Sequence, residues 1–207
     1  MSSEASASPV AEPNIEAVLQ DEIIRLYGEV AENPGGDYHF YHGREAAELF
    51  DYDRRLLEEA PEGAVASFAG VGNPHLRAGV QPGETVLDVG SGAGLDAYVA
   101  ARAAGPEGQV LGVDLNPAMC RKAREHVQAH GLQMTCHEAP MERIPVEDRA
   151  VDVVISNGVL NLSFRTAQVM REMFRVLRPG GRLSITDIVT GRELSQDIVN
   201  DPKLWAS

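Results

Sequence analysis

The chain has no apolar run approaching the ~20 residues needed to span a bilayer as a helix. Its 207 residues hold only two cysteines, Cys120 and Cys136. These two make neither a C-x-x-C pair nor a zinc spacing, so buried, inert thiols are expected rather than a disulfide or a structural metal. The opening, MSSEASASPVAEP, lacks both the basic start and the apolar core of a secretion signal. The expected compartment is therefore the cytoplasm, with Met1–Pro13 as a disordered lead-in. Basic charge is also scarce. Eighteen Lys and Arg face 31 Asp and Glu, for a net charge of −13. Residues 1–64 carry 15 acids and 4 bases, whereas residues 65–207 carry 16 acids and 14 bases. Neither part offers the cationic footprint that binding to a nucleic-acid backbone requires, so no nucleic-acid partner and no membrane partner are expected. The acidic first part reads as solvated helical faces.

What the chain does have is an ordinary globular composition, 43% hydrophobic and 24% charged. That suits one α/β domain over 65–207, preceded by a helical extension over 14–64. Ile15, Val18, Leu19, Ile23, Leu26, Tyr27 and Val30 recur at helical spacing behind Asn14, a possible N-cap, and Asn33-Pro34-Gly35-Gly36 stops that helix. In the connection Asp37–Gly43, His39 and His42 have no third ligand nearby, and no metal is expected. Arg44–Ala60 predicts a second acidic helix, and Pro61-Glu62-Gly63 a turn.

Beyond residue 80, strand and helix alternate. Val86–Val89 and Val110–Asp114 read as buried strands, and Asn116-Pro117 starts a helix over Ala118–His130 that Gly131 ends. A weak strand follows at Gln133–His137, then a fully apolar one at Val151–Ser156. Arg165–Leu177 predicts a helix with Val169, Met170, Met173, Phe174 and Leu177 inward, closed by Pro179-Gly180-Gly181 and followed by a strand over Arg182–Val189. The implied fold is a Rossmann-like open parallel sheet with helices on both faces and a ligand over the carboxyl ends of its strands.

The chemistry concentrates at two strand ends. Val86–Gly94 reads V-L-D-V-G-S-G-A-G, and Val110–Leu115 reads V-L-G-V-D-L, with Asp114 lying 26 residues after Asp88. This is about one βαβ crossover, and it cradles a nucleoside: glycines admit the ligand close to the backbone, and the carboxylate accepts from ribose hydroxyls. A dinucleotide fingerprint would place its third glycine where Leu95 stands. Here the turn is Gly90-x-Gly92-x-Gly94, which leaves a nicotinamide-dependent oxidoreductase as the weaker rival.

Asp88-x-Gly90-x-Gly92-x-Gly94, followed by Gly112-Val113-Asp114 and by Leu177-Arg178-Pro179-Gly180-Gly181, resembles the S-adenosylmethionine-dependent class I methyltransferases. Ser67–Pro74, Val151–Leu162 and Asp201–Trp205 resemble the arsenite methyltransferases among them. The resemblance implies S-adenosylmethionine as cofactor and a small-molecule methyl acceptor. It assigns Asp88 to the methionine ammonium, and Gly90, Ser91, Gly92 and Gly94 to the turn. Asp114 falls to the ribose, Leu115, Met141 and Glu142 to adenine, and Asn157 to the methionine end. Val71 and Gly158 stand where that family has cysteines that hold trivalent arsenic. His75, near the expected mouth of the site, is the candidate base for an oxygen or nitrogen nucleophile. The resemblance also implies a sheet ending before its last two strands, with an open edge for a second copy or a partner chain. A cofactor-binding partner subunit without activity is the rival reading outside catalysis.

Overall fold

A computed structural model describes residues 15–192 of the chain. The expected lead-in Met1–Pro13, the Asn14 cap and the Asp201–Trp205 segment lie outside those residues. Five helices come first: α1 (Ile15–Glu32), α2 (Gly43–Leu49), α3 (Arg54–Glu59), α4 (Glu62–Ala66) and α5 (His75–Ala78). Strands and helices then alternate as β1 (Thr85–Val89), α6 (Leu95–Ala104), β2 (Gln109–Asp114), α7 (Pro117–Ala129) and β3 (Met134–Glu138). The described chain continues through β4 (Val151–Asn157), α8 (Thr166–Val176) and β5 (Leu177–Thr186).

The sheet order is β3-β2-β1-β4-β5, with every pair parallel. The chain leaves β1 toward β2 and β3, then returns to place β4 on β1's other side, so the strand order reverses at β1. A crevice opens at such a reversal, beyond the carboxyl ends of the strands. Successive side chains along each strand alternate faces. Val86, Val110, Val153 and Ile155 pack with Leu95, Tyr98, Cys120 and Ala123 of α6 and α7. Leu87, Val89, Val113 and Val154 pack with Val169, Met173 and Val176 of α8. Burial on both faces is why these strands read as continuous apolar runs rather than alternating ones. Ala46, Leu57 and Ala64 of the N-terminal helices share the first of these cores.

Several expected boundaries shift. The helix predicted over Arg44–Ala60 is two short ones, α2 and α3. Asp51 takes a φ of 61° between them, and the Asp53 side chain caps α3 by accepting from Leu56 N at 3.0 Å. Pro61-Glu62-Gly63 is the start of α4 rather than a free turn. In α8, Met170 and Phe174 face outward (38% and 80% exposed), because the buried stripe runs through Val169, Met173 and Val176 instead. Pro179-Gly180-Gly181 falls within β5, not between helix and strand. The register there jumps from Val151↔Leu177 to Val153↔Arg182, an irregularity that Gly180 accommodates at φ 85°.

Candidate functional site

The crevice beyond β1 holds a cavity of about 1140 Å³, part of it open to solvent. Its floor is the turn after β1. Gly90, Gly92 and Gly94 all have positive φ (76°, 49° and 94°), where side-chain-bearing residues are strained. Two of these glycines are also sterically required. A Cβ on Gly90 would collide with the Val159 side chain, and one on Gly94 would come within 3.0 Å of Ala123 Cα. A Cβ on Gly92 would meet nothing within 4 Å, which leaves its backbone bare where a ligand can approach. The turn is held by Gly90 N and Ser91 N, which donate to Val113 O at 2.7 and 3.1 Å.

Asp114, at the end of β2, locks the turn to the next strand. Its Oδ2 accepts from Gly92 N and its Oδ1 from Asn116 N, both at 2.8 Å. Burial raises this carboxyl above its ordinary value, against the pull of the two amides. Leu115, Met141 and Glu142 form the adjoining wall, and Ser163 Oγ donates to Glu142 Oε1. Helix α1 covers the opening with Glu16, Leu19, Gln20, Ile23 and Tyr27. It is tied down by Asn116, whose Nδ2 donates to Ile24 O at 2.8 Å while its Oδ1 caps α7. Burial pushes the Tyr27 phenol up to about 12, so it remains a donor at neutral pH.

The wall on the β4 side is a polar network. Asn157 Nδ2 donates to Gly72 O at 2.9 Å and to Asp96 Oδ2 at 3.1 Å, and its Oδ1 accepts from Val71 N and from Thr186 Oγ1. Tyr52 OH donates to Asp96 Oδ1, which also lies 2.9 Å from His75 Nε2. A Cβ on Gly158 would stand 3.2 Å from Val71 Cγ1. The two positions where the resembling family has cysteines thus meet in space here, with no thiol at either.

Of the residues singled out from sequence, the turn glycines, Ser91, Asp114, Leu115, Met141, Glu142 and Asn157 line the cavity. Asp88 and His75 do not. Asp88 is buried under the turn, with its Oδ2 lacking any hydrogen-bond partner. Burial raises its carboxyl well above the ordinary value, with nearby Asp96 adding to the rise. His75 stands behind Asp96, and Asp96 is the acid that reaches the cavity. Sequence reading missed Asp96, although its place directly after Gly94-Leu95 is a usable signal. Ser67 was also missed. It is buried, lines the cavity, and its Oγ has no partner.

Four acids, Glu16, Asp96, Asp114 and Glu142, line this cavity, and among the described lining residues there is no Lys, Arg or His. A pyrophosphate would meet no cationic side chain in this lining, where Glu16 is paired with Arg165 at 2.7 Å and the other three acids face the interior. A nucleoside carrying positive charge meets complementary charge. The acids, the bare glycine turn and the partly apolar wall of this cavity therefore fit S-adenosylmethionine, a nucleoside with a cationic end.

Fold and site together define a nucleoside-binding Rossmann-like domain of the class I methyltransferase type. Residues 81–207 match the family described as a methyltransferase domain, and the chain belongs to that family. It is 43% identical over 159 residues to an arsenite methyltransferase of Halobacterium salinarum, a match covering 75% of this chain and 40% of that protein. It is 36% identical over 112 residues to a ubiquinone/menaquinone biosynthesis C-methyltransferase of Cupriavidus taiwanensis, covering 54% and 46%. Among solved structures, an arsenic(III) S-adenosylmethionine methyltransferase from Chlamydomonas reinhardtii superposes with a TM-score of 0.61 at 37% identity, covering 79% of this chain and 55% of that one. The chain spans about half the length of the relatives it matches. Among the described residues, no helix is long and apolar enough to cross a membrane, and no group of three His, Cys, Asp or Glu could hold a metal ion.

Proposed function

We propose that this chain binds S-adenosylmethionine in the β1 crevice and transfers its methyl group to a small-molecule acceptor approaching from the β4 side. The observation that carries the reading is a glycine-floored cavity lined by four acids and no cationic side chain. When bound, S-adenosylmethionine supplies a methyl group already activated by its sulfonium. The protein's task is then alignment and exclusion of water, and proximity can lower such a barrier by ~7–11 kcal/mol.

Within this reading, Asp114 holds the ribose hydroxyls, and Leu115 and Met141 flank the base, with Glu142 at its edge. Asp96 and the free Ser67 hydroxyl receive the amino-acid end. Asp88 acts from beneath the turn rather than by touching the ligand. Asn157 fixes the Gly70–Gly72 loop that borders the acceptor. His75 acts through Asp96, holding that carboxylate in place beside the reacting end. Val71 and Gly158 supply no thiolate, so the acceptor is read as one that needs no cysteine ligands from these positions. The cytoplasm remains the proposed location, and a second copy or another chain along β5 the proposed partner.

Isothermal titration with S-adenosylmethionine, S-adenosylhomocysteine and NAD tests the reading. Selective binding of the two sulfur ligands is expected. Binding of NAD alone overturns it in favour of an oxidoreductase.

A further inference from the structure

Cys120 and Cys136 take no part in the site described above, yet they stand directly beneath it. Cys120 lies on α7 and Cys136 on β3, and their Sγ atoms are 2.9 Å apart. A disulfide is ~2.05 Å long, so closing the pair needs an approach of about 0.9 Å. Both residues are buried, at 0% and 5% exposure. Among the described residues β3 is an edge of the sheet, where local opening admits a small oxidant most readily.

The two sulfurs differ in their surroundings. Cys136 Sγ lies 3.4 Å from Ser91 Oγ, and Arg124 docks on the same residue by donating to Cys136 O at 2.7 Å. Cys120 Sγ faces two carbonyl oxygens instead, those of Asp114 at 3.6 Å and His137 at 3.5 Å. The contact between the two sulfurs, with Ser91 on the Cys136 side, draws the Cys136 thiol below its ordinary value, while the same contact and burial push Cys120 up. The Ser91 hydroxyl beside Cys136 and its place on the edge strand β3 make Cys136 the attacking sulfur, and Cys120, set under two carbonyl oxygens on α7, the resolving one.

We propose that Cys120 and Cys136 form a redox-active dithiol that a hydroperoxide closes into a disulfide, and that closure weakens the cofactor cavity through Ser91 and Asp114. The Cys136 thiolate attacks one peroxide oxygen. The O–O bond breaks, the other oxygen leaves as hydroxide and is protonated to water, and the sulfur becomes a sulfenic acid. Cys120 sulfur then displaces the hydroxyl, which departs with the Cys120 proton as a second water. Two thiols together lose two electrons and one hydrogen peroxide gains them. A dithiol reductant reverses the change. Closure takes Cys136 away from Ser91, which belongs to the glycine turn, and takes Cys120 away from the carbonyl of Asp114. This coupling rests on the cavity being the cofactor site.

The test treats the reduced chain with hydrogen peroxide, then measures intact mass, free thiols and S-adenosylhomocysteine affinity by calorimetry. The expected result is loss of two hydrogens, no free thiol and affinity weakened at least ~5-fold. Dithiothreitol should reverse all three, and neither Cys120→Ser nor Cys136→Ser should show the shift. Thiols that stay free, or a Cys136 carrying added oxygen without a cross-link, overturn the dithiol. A complete disulfide with unchanged affinity overturns the coupling. If the reduced chain binds neither sulfur ligand, the cofactor reading falls instead, and the mass measurement still decides the disulfide.

Discussion

The two sides of β1 are built differently. On the β2 side the site is nearly local. The turn follows β1 without a break, Asp114 ends the next strand, and one hydrogen bond from Gly92 N joins them across 22 positions. On the β4 side the wall is gathered from far along the chain. Asn157 reaches Val71 and Gly72, 86 and 85 positions away, and also meets Asp96 and Thr186. A half that needs only strand, turn and strand can be kept intact while the other half changes. That is where Val71 and Gly158 meet: the glycine turn and Asp114 carry the resembling family's motif, while the β4 side has no thiol at either of the positions where that family has cysteines. Under the proposed function, substrate choice rests with the distant loops and cofactor choice with the turn.

On this division, the most damaging change lies on the local side. Gly90→Val forces a branched side chain into φ 76° and against Val159. The left-handed backbone costs about 1–2 kcal/mol and the overpacking about 1–3 kcal/mol. The expected outcome is loss of measurable S-adenosylhomocysteine binding by calorimetry, with a lowered Tm. Retained binding within a few fold of wild type would break the assignment of this turn to the ligand.

The same division explains what could be read from sequence. The turn, Asp114, the Asn116-Pro117 helix start and the buried strands declare themselves through short-range patterns: glycine spacing, capping chemistry and apolar runs. Asp96, Ser67 and the dithiol do not. Asp96 acquires its role from Tyr52, His75 and Asn157, which are drawn in from three other parts of the chain. Cys120 and Cys136 meet only because α7 packs back on β3, and a spacing of sixteen residues carries no such instruction. Met170 and Phe174 mislead for the opposite reason. Helical periodicity allows an apolar stripe as wide as theirs, and only the packing shows that Val169, Met173 and Val176 fill the contact.

A milder change separates the two sides directly. His75→Ala removes one of three partners of Asp96, leaving Tyr52 and Asn157 to hold the carboxylate, and does not touch the glycine turn. Cofactor affinity should stay close to wild type, while turnover with an acceptor found by screening falls roughly tenfold, in line with a lost charge-assisted hydrogen bond of about 1.5 kcal/mol. His75→Gln, which retains a donor for Asp96, should recover much of the loss. Equal falls in affinity and turnover, with no rescue by Gln, would assign His75 to stability alone.

The smallest expected effect is one of stability, and it concerns the residue under the seam between the two sides. Asp88 is buried with an unpaired oxygen, and burial, reinforced by Asp96, raises its carboxyl well above the ordinary 3.8. For an acid whose folded value is raised, the folded state holds its proton where the unfolded chain has released it. Stability is then undiminished below about pH 3.8 and falls as pH climbs toward the folded value. Asp88→Asn removes that penalty and leaves a carbonyl oxygen in place. The ligand-free variant should therefore melt higher than wild type, by ~3 °C or more at pH 8, and the gap should narrow as the pH is brought down toward 4. Calorimetric melts of both proteins across that range provide the check. A gap that stays constant, or that widens on acidification, would mean that Asp88 is satisfied in the ligand-free fold, and the site would then have to be read without a buried acid held in reserve beneath its turn.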